Sequence, residues 1–125
     1  MRQGAGRLVV CVCAAVFLAG AAVPAAEPPG ARQIEITATR YEFTPAQIEV
    51  RQGETVELVL RSADTDHGLE IKALKLKVAI PKGGASVSAS FVASRPGRFP
   101  IACSEYCGSG HRRMRGELVV TEASR

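Results

Sequence analysis

The sequence predicts an all-β protein, a Greek-key β-sandwich of about seven short strands that follows an N-terminal signal segment. Three observations carry that reading. Apolar and polar residues alternate with period two through most of residues 33–121, as half-buried strands require. Turn signals built from Gly, Pro, Asp and Ser interrupt the alternation at short intervals. No stretch shows a convincing 3.6-residue period. Evenly spaced short strands of this kind argue for a sandwich.

Ile34, Ile36 and Ala38 share one face of the first strand. Tyr41-Glu42-Phe43-Thr44-Pro45 reads as a connection with aromatic packing. Ile48 and Val50 mark a second strand, closed by Gln52-Gly53, and Val56, Leu58 and Leu60 mark a third. Asp64-Thr65-Asp66-His67-Gly68 is a polar loop with turn chemistry. Leu69 and Ile71 resume the alternation. Residues 74–80 are ambiguous, with Leu74, Leu76, Val78 and Ile80 opposite Lys75 and Lys77. Pro81-Lys82-Gly83-Gly84 breaks the chain. From Ala85 to Phe91 the alternation is at its cleanest, apolar inward and serine outward. Arg95-Pro96-Gly97 is a turn, Phe99 and Ile101 lead a strand up to Cys103, and Leu118 and Val120 belong to the last strand. With no tryptophan, two tyrosines and four phenylalanines, the core must be mostly aliphatic.

The chain of 125 residues is long enough for one domain. Arg2 and Arg7 precede a charge-free run from Leu8 to Val23, followed by Pro24-Ala25-Ala26. A basic start, a short apolar core and small residues describe a secretory signal. Sixteen apolar residues are short for a membrane span of about 20. Residues 1–25 are therefore read as a signal peptide cleaved after Ala25, 26–32 as a Pro/Gly-rich tether and 33–125 as the domain. Export places it in the periplasm or on the outer face of the cytoplasmic membrane, with membrane contact only if the segment stays uncleaved. Cys11 and Cys13 leave with the signal, and neither follows a small residue, which argues against lipidation. The remaining 100 residues carry 14 basic and 12 acidic side chains, a net charge of +2. That is too mild to imply nucleic acid.

The chemistry concentrates in residues 103–114. Cys103, Cys107, His111 and Met114 follow one another at spacings of four, four and three. Soft thiolate and thioether donors select copper, zinc or iron–sulfur over calcium or magnesium. Iron–sulfur clusters ordinarily need four thiolates, and zinc would leave Met114 without a role, whereas a weak Met ligand is familiar in copper electron-transfer sites. Two cysteines in an exported protein also suit a disulfide. The added imidazole and thioether favour metal over that bridge. His67, the only other histidine, is the candidate partner from a second loop.

Cys103-Ser104-Glu105-Tyr106-Cys107-Gly108-x-x-His111-x-x-Met114 resembles the binuclear copper loop, the CuA loop, of cytochrome c oxidase subunit II and nitrous oxide reductase. Asp66-His67-Gly68 resembles the upstream histidine of that site, and Tyr41-x-Phe43-x-Pro45 with Gly53-Glu54-Thr55-Val56 is similar to early cupredoxin strands. The resemblance implies that Cys103 and Cys107 bridge two copper ions and that His67 and His111 each cap one. It makes Met114 a weak ligand and gives Glu105 a role through its backbone carbonyl. One copper ion per chain is the alternative. It also implies a one-electron carrier whose partner is a redox protein such as a c-type cytochrome or a terminal oxidase. A copper chaperone or store for oxidase assembly, and an accessory or truncated subunit II, are the rival functions. Two departures stand out. No clear membrane span and no tryptophan are found, and the loop is flanked by Arg112, Arg113 and Arg115 where oxidase domains present acidic groups.

Overall fold

A computed structural model describes residues 30–124; the expected signal segment, with Cys11 and Cys13, and most of the expected tether lie outside them. Nine strands are present among the described residues: β1 Arg32–Thr39, β2 Glu42–Thr44, β3 Gln47–Arg51, β4 Thr55–Ser62, β5 His67–Ile71, β6 Leu76–Ile80, β7 Val87–Val92, β8 Gly97–Ala102 and β9 Arg115–Thr121. The expected count of about seven falls short by two. Glu42–Thr44, taken for a connection, pairs with β1 as a three-residue strand. In the ambiguous stretch 74–80, Leu74 closes a 3-10 turn, Lys72–Leu74, and Leu76–Ile80 form strand β6. The left-handed backbone of Lys75 (φ 53°) makes the break. His67, expected inside the polar loop, instead opens β5.

The strands form two sheets, ordered β2-β1-β4-β7 and β3-β9-β8-β5-β6. Most neighbours are antiparallel, but β1 runs parallel to β4 and β3 parallel to β9. Between the sheets lies an aliphatic core. Ile36, Val56, Leu58 and Leu60 come from the first sheet, and Ile48, Leu69, Ile71, Ile80, Ile101 and Leu118 from the second. Phe43 is the one aromatic side chain fully buried in it among the described residues. Removing such side chains from water contributes about 1.5–3 kcal/mol each. On β7, Val87, Ala89 and Phe91 are half-buried and Ser88 and Ser90 exposed, the alternation the sequence predicts. The edge strand β6 carries Lys77, a charge that discourages pairing with another chain.

The pairing directions gather three connections at one end. β4 ends at Ser62 beside Ala38, near the end of β1. β5 starts at that end, and its Glu70 pairs with Ala102, the last residue of β8. β9 leaves from the same place, since Ala102 pairs with Arg115. The β1–β2 turn, the β4–β5 turn and the long β8–β9 loop therefore converge, and every candidate donor lies in or beside them.

Candidate metal centre

The β8–β9 loop is held by its own backbone. The Cys103 amide donates to Met114 O (3.2 Å), the His111 amide to Gly108 O (3.0 Å), and the Met114 amide to His111 O (3.2 Å). A 3-10 turn, His111–Arg113, carries the second histidine. One bond ties the loop to β5, from the Ser104 amide to Gly68 O (3.2 Å). That approach needs a glycine, because a Cβ on Gly68 would fall on the Ser104 hydroxyl. Gly108 is held at φ +135°, and a Cβ there would lie 2.5 Å from the Tyr41 hydroxyl. The Tyr41 ring also covers Gly110.

The expected residues do come together. His67 Nδ1 lies 4.0 Å from Cys103 Sγ, which lies 3.8 Å from Cys107 Sγ. Cys107 Sγ is 3.8 Å from His111 Nδ1 and 3.9 Å from Met114 Sδ. Glu105 takes part through its main chain, its carbonyl oxygen standing 3.1 Å from Cys103 Sγ while the residue is exposed. The donors thus run as a row, His67–Cys103–Cys107–His111, with a carbonyl at the first thiol and a thioether at the second. Cys103, Cys107, Met114 and His67 are buried and His111 is half-buried. The cysteines are free thiols, not a disulfide.

This donor set suits a soft metal. Metal bonds of about 2.0–2.3 Å to nitrogen and sulfur place two ligands of one ion roughly 3.4–4.0 Å apart at tetrahedral to trigonal angles. The neighbouring gaps in the row match that range. His67, Cys103 and Cys107 have ligating atoms all within 4.8 Å of one another.

Behind the row stand groups that sequence reasoning missed. His67 Nε2 lies 2.7 Å from Asp64 Oδ1. Burial pushes the Asp64 carboxyl up, but the Arg40 amide, the His67 ring and the Thr65 amide outweigh it and bring it down to about 2. An ionised carboxylate only accepts hydrogen bonds, so in the neutral ring Nε2 carries the proton and the Nδ1 lone pair faces the thiols. Arg40 touches both sides of the site. Its amide donates to Asp64 Oδ2 (2.8 Å) and its Nε to Cys107 O (2.7 Å). In sequence, Asp64 reads only as a turn residue, and no pattern singles out Arg40. Their roles depend on turns that meet only in the fold. Burial, followed by the hydrogen bond to Cys103, pushes the Cys107 thiol up to about 11. Metal binding at neutral pH must therefore displace its proton.

A sandwich of two sheets, with a Cys-His-Met loop at one end, agrees with the family that the sequence itself matches: the chain fits the cupredoxin-like domain over residues 8–120. The chain belongs to this family. The cupredoxin is 32% identical over 94 residues to cytochrome c oxidase subunit 2 of Thermus thermophilus, covering 75% of this chain and 69% of that protein. It is 29% identical over 92 residues to nitrous-oxide reductase of Cupriavidus necator, covering 70% of this chain and 14% of that enzyme. Its fold is also that of the periplasmic domain of cytochrome oxidase subunit II from Bradyrhizobium japonicum. That likeness has a TM-score of 0.67 at 20% identity and covers 76% of this chain and 87% of that one. Among the described residues no helix is long and apolar enough to cross a membrane.

Proposed function

We propose that this cupredoxin is an exported one-electron carrier whose loop and β5 hold a binuclear, CuA-like copper centre. The observation that carries the reading is the pair of neighbouring thiols, 3.8 Å apart, with one imidazole beside each: His67 at Cys103 and His111 at Cys107. Cys103 and Cys107 would bridge, His67 and His111 would cap the two ends, and the Glu105 carbonyl and Met114 would add weak contacts. When bound, copper supplies reversible one-electron storage. The chain supplies a rigid frame. Donors fixed by strands, by loop hydrogen bonds and by Asp64 move little as charge changes, and the burial of Cys103 and Cys107 keeps water away. Kinship with oxidase subunit 2 supports export and a partner of the c-type cytochrome or terminal-oxidase kind.

The test is copper content and electron paramagnetic resonance of the reconstituted protein. Two copper ions per chain, with one unpaired electron shared between them, is the expected result. A four-line spectrum from one copper with a single strong blue band would overturn the binuclear reading. A mononuclear centre is the second reading, favoured by the tight group His67, Cys103 and Cys107, which leaves His111 outside it.

A further inference from the structure

We infer that the His111 side of the copper end is a docking surface for an acidic redox protein, with Tyr106 at its centre. The inference rests on the carrier reading above and names the class of partner.

Tyr106 and Val92 are the large apolar side chains left exposed among the described residues, Tyr106 at 75%. Val92 pairs with Thr55 at the start of β4, far from the donors. Tyr106 sits at the copper end, is the chain neighbour of Cys107, and packs its ring 5.8 Å from that of His111 at 52°. An exposed aromatic with a polar tip is the side chain most enriched at the centre of protein interfaces. Nothing in the fold needs it uncovered.

The rim around it is basic. Arg112, Arg113 and Arg115 are exposed, and among the described residues none of them forms an ion pair. Arg115 Nε donates to Arg112 O (3.1 Å), which keeps the group beside the 3-10 turn. Arg40, also exposed, adds a guanidinium against Cys107 O. Elsewhere Arg98 pairs with Glu117 and Arg32 with Glu54, while Arg51, Arg61 and Arg95 are exposed singly; the three arginines after His111 stand out as a group within five residues. The carboxylates of this end gather on the other side. Asp64 faces His67, the Asp66 carboxylate accepts the Lys82 amide, and Glu105 is exposed next to Ser104. Glu42 is the exposed acid of β2. The arginines therefore group beside His111, and the Asp64, Asp66 and Glu105 carboxylates beside His67. A partner with carboxylates around its own redox group would be attracted and turned so that its group lies over Tyr106 and His111. Rim charges of this kind govern encounter rate more than affinity. The exchange itself moves one electron between the partner's centre and the copper centre and moves no proton.

Two measurements test the surface. In the first, hexacyanochromate(III), a paramagnetic trianion, is titrated into the nitrogen-15-labelled protein. Amide signals of Tyr106 and residues 111–115 should broaden first. Broadening centred on Lys72–Lys77 or Arg95 overturns the proposal. This mapping needs no copper, so a chain that fails to load copper sinks the carrier reading and leaves the surface to be judged on its own. In the second, copper-loaded protein is mixed with c-type cytochromes of low and of high isoelectric point. The acidic cytochrome should exchange electrons faster at low salt. Combining Arg112→Glu with Arg113→Glu should slow it roughly tenfold, an effect that closes as salt screens the charges. The copper absorption of the variant should be unchanged. Faster exchange with the basic cytochrome, or no salt dependence, overturns the proposal. So does binding to phosphatidylserine-rich vesicles that the double reversal abolishes, because the patch would then face a membrane.

Discussion

The two ends of the donor row are built by different means. His67 opens a strand, is 1% exposed, and is fixed from behind by an ionised carboxylate. His111 lies in a 3-10 turn and is half-buried, with an exposed tyrosine for its neighbour. One end is rigid because the sheet and Asp64 leave the ring no freedom. The other is defined by a loop whose shape depends on glycines packed under Tyr41. The contrast suits a carrier, which needs one side locked and the other within reach of a partner.

Ways to break this comparison differ in size. Cys107→Ser removes the soft donor shared by both halves. Copper affinity should fall by more than about 100-fold, beyond the range for changes in groups that only hydrogen-bond to a ligand, and equilibrium dialysis with absorption measures it. Next come the histidines, each changed to Gly. Added imidazole should restore the copper spectrum of His111→Gly and not that of His67→Gly. His67→Gly should also lower unfolding free energy by about 2 kcal/mol or more, through a buried void and a stranded Asp64. Equal rescue of both would erase the distinction between the ends. Asp64→Asn should weaken copper binding by roughly 10-fold and change the acid limb of stability. The native carboxyl titrates near 2, below its ordinary 3.8. The stability it contributes is thus present above about 4 and is lost as pH falls towards 2. Acid unfolding of the variant should lack that component. Glu105→Gln is the smallest change. It keeps the backbone carbonyl, so the copper spectrum should be unaltered, and a lost centre would show that the carboxylate matters.

Much of the site was legible before folding because its chemistry is local. Cys103, Cys107, His111 and Met114 lie within one loop, and His67 was the sole remaining histidine. The strands were legible where alternation is long, as in β4 and β7. It failed at β2, whose three residues are too few for a period, and at β6, where a left-handed Lys75 hides the start. Asp64 and Arg40 were hidden for another reason. Arg40 meets Asp64 across 24 residues and Cys107 across 67. Only the meeting of three turns makes either one part of the site.

The 67-residue span between Arg40 and Cys107 also governs the order of assembly. Contacts this distant, together with the parallel β1–β4 and β3–β9 ladders, form slowly, because loop-closure entropy is lost before they stabilise anything. An unfolded chain already holds Cys103, Cys107, His111 and Met114 within reach of one ion, while His67 arrives only with the sheet. Copper added during refolding therefore meets an incomplete set of donors and stabilises the unfolded chain as well as the native one. Copper added to the folded protein meets all of them at once. Maturation should thus proceed by folding first and metal second, and refolding in copper should be slower than refolding followed by loading.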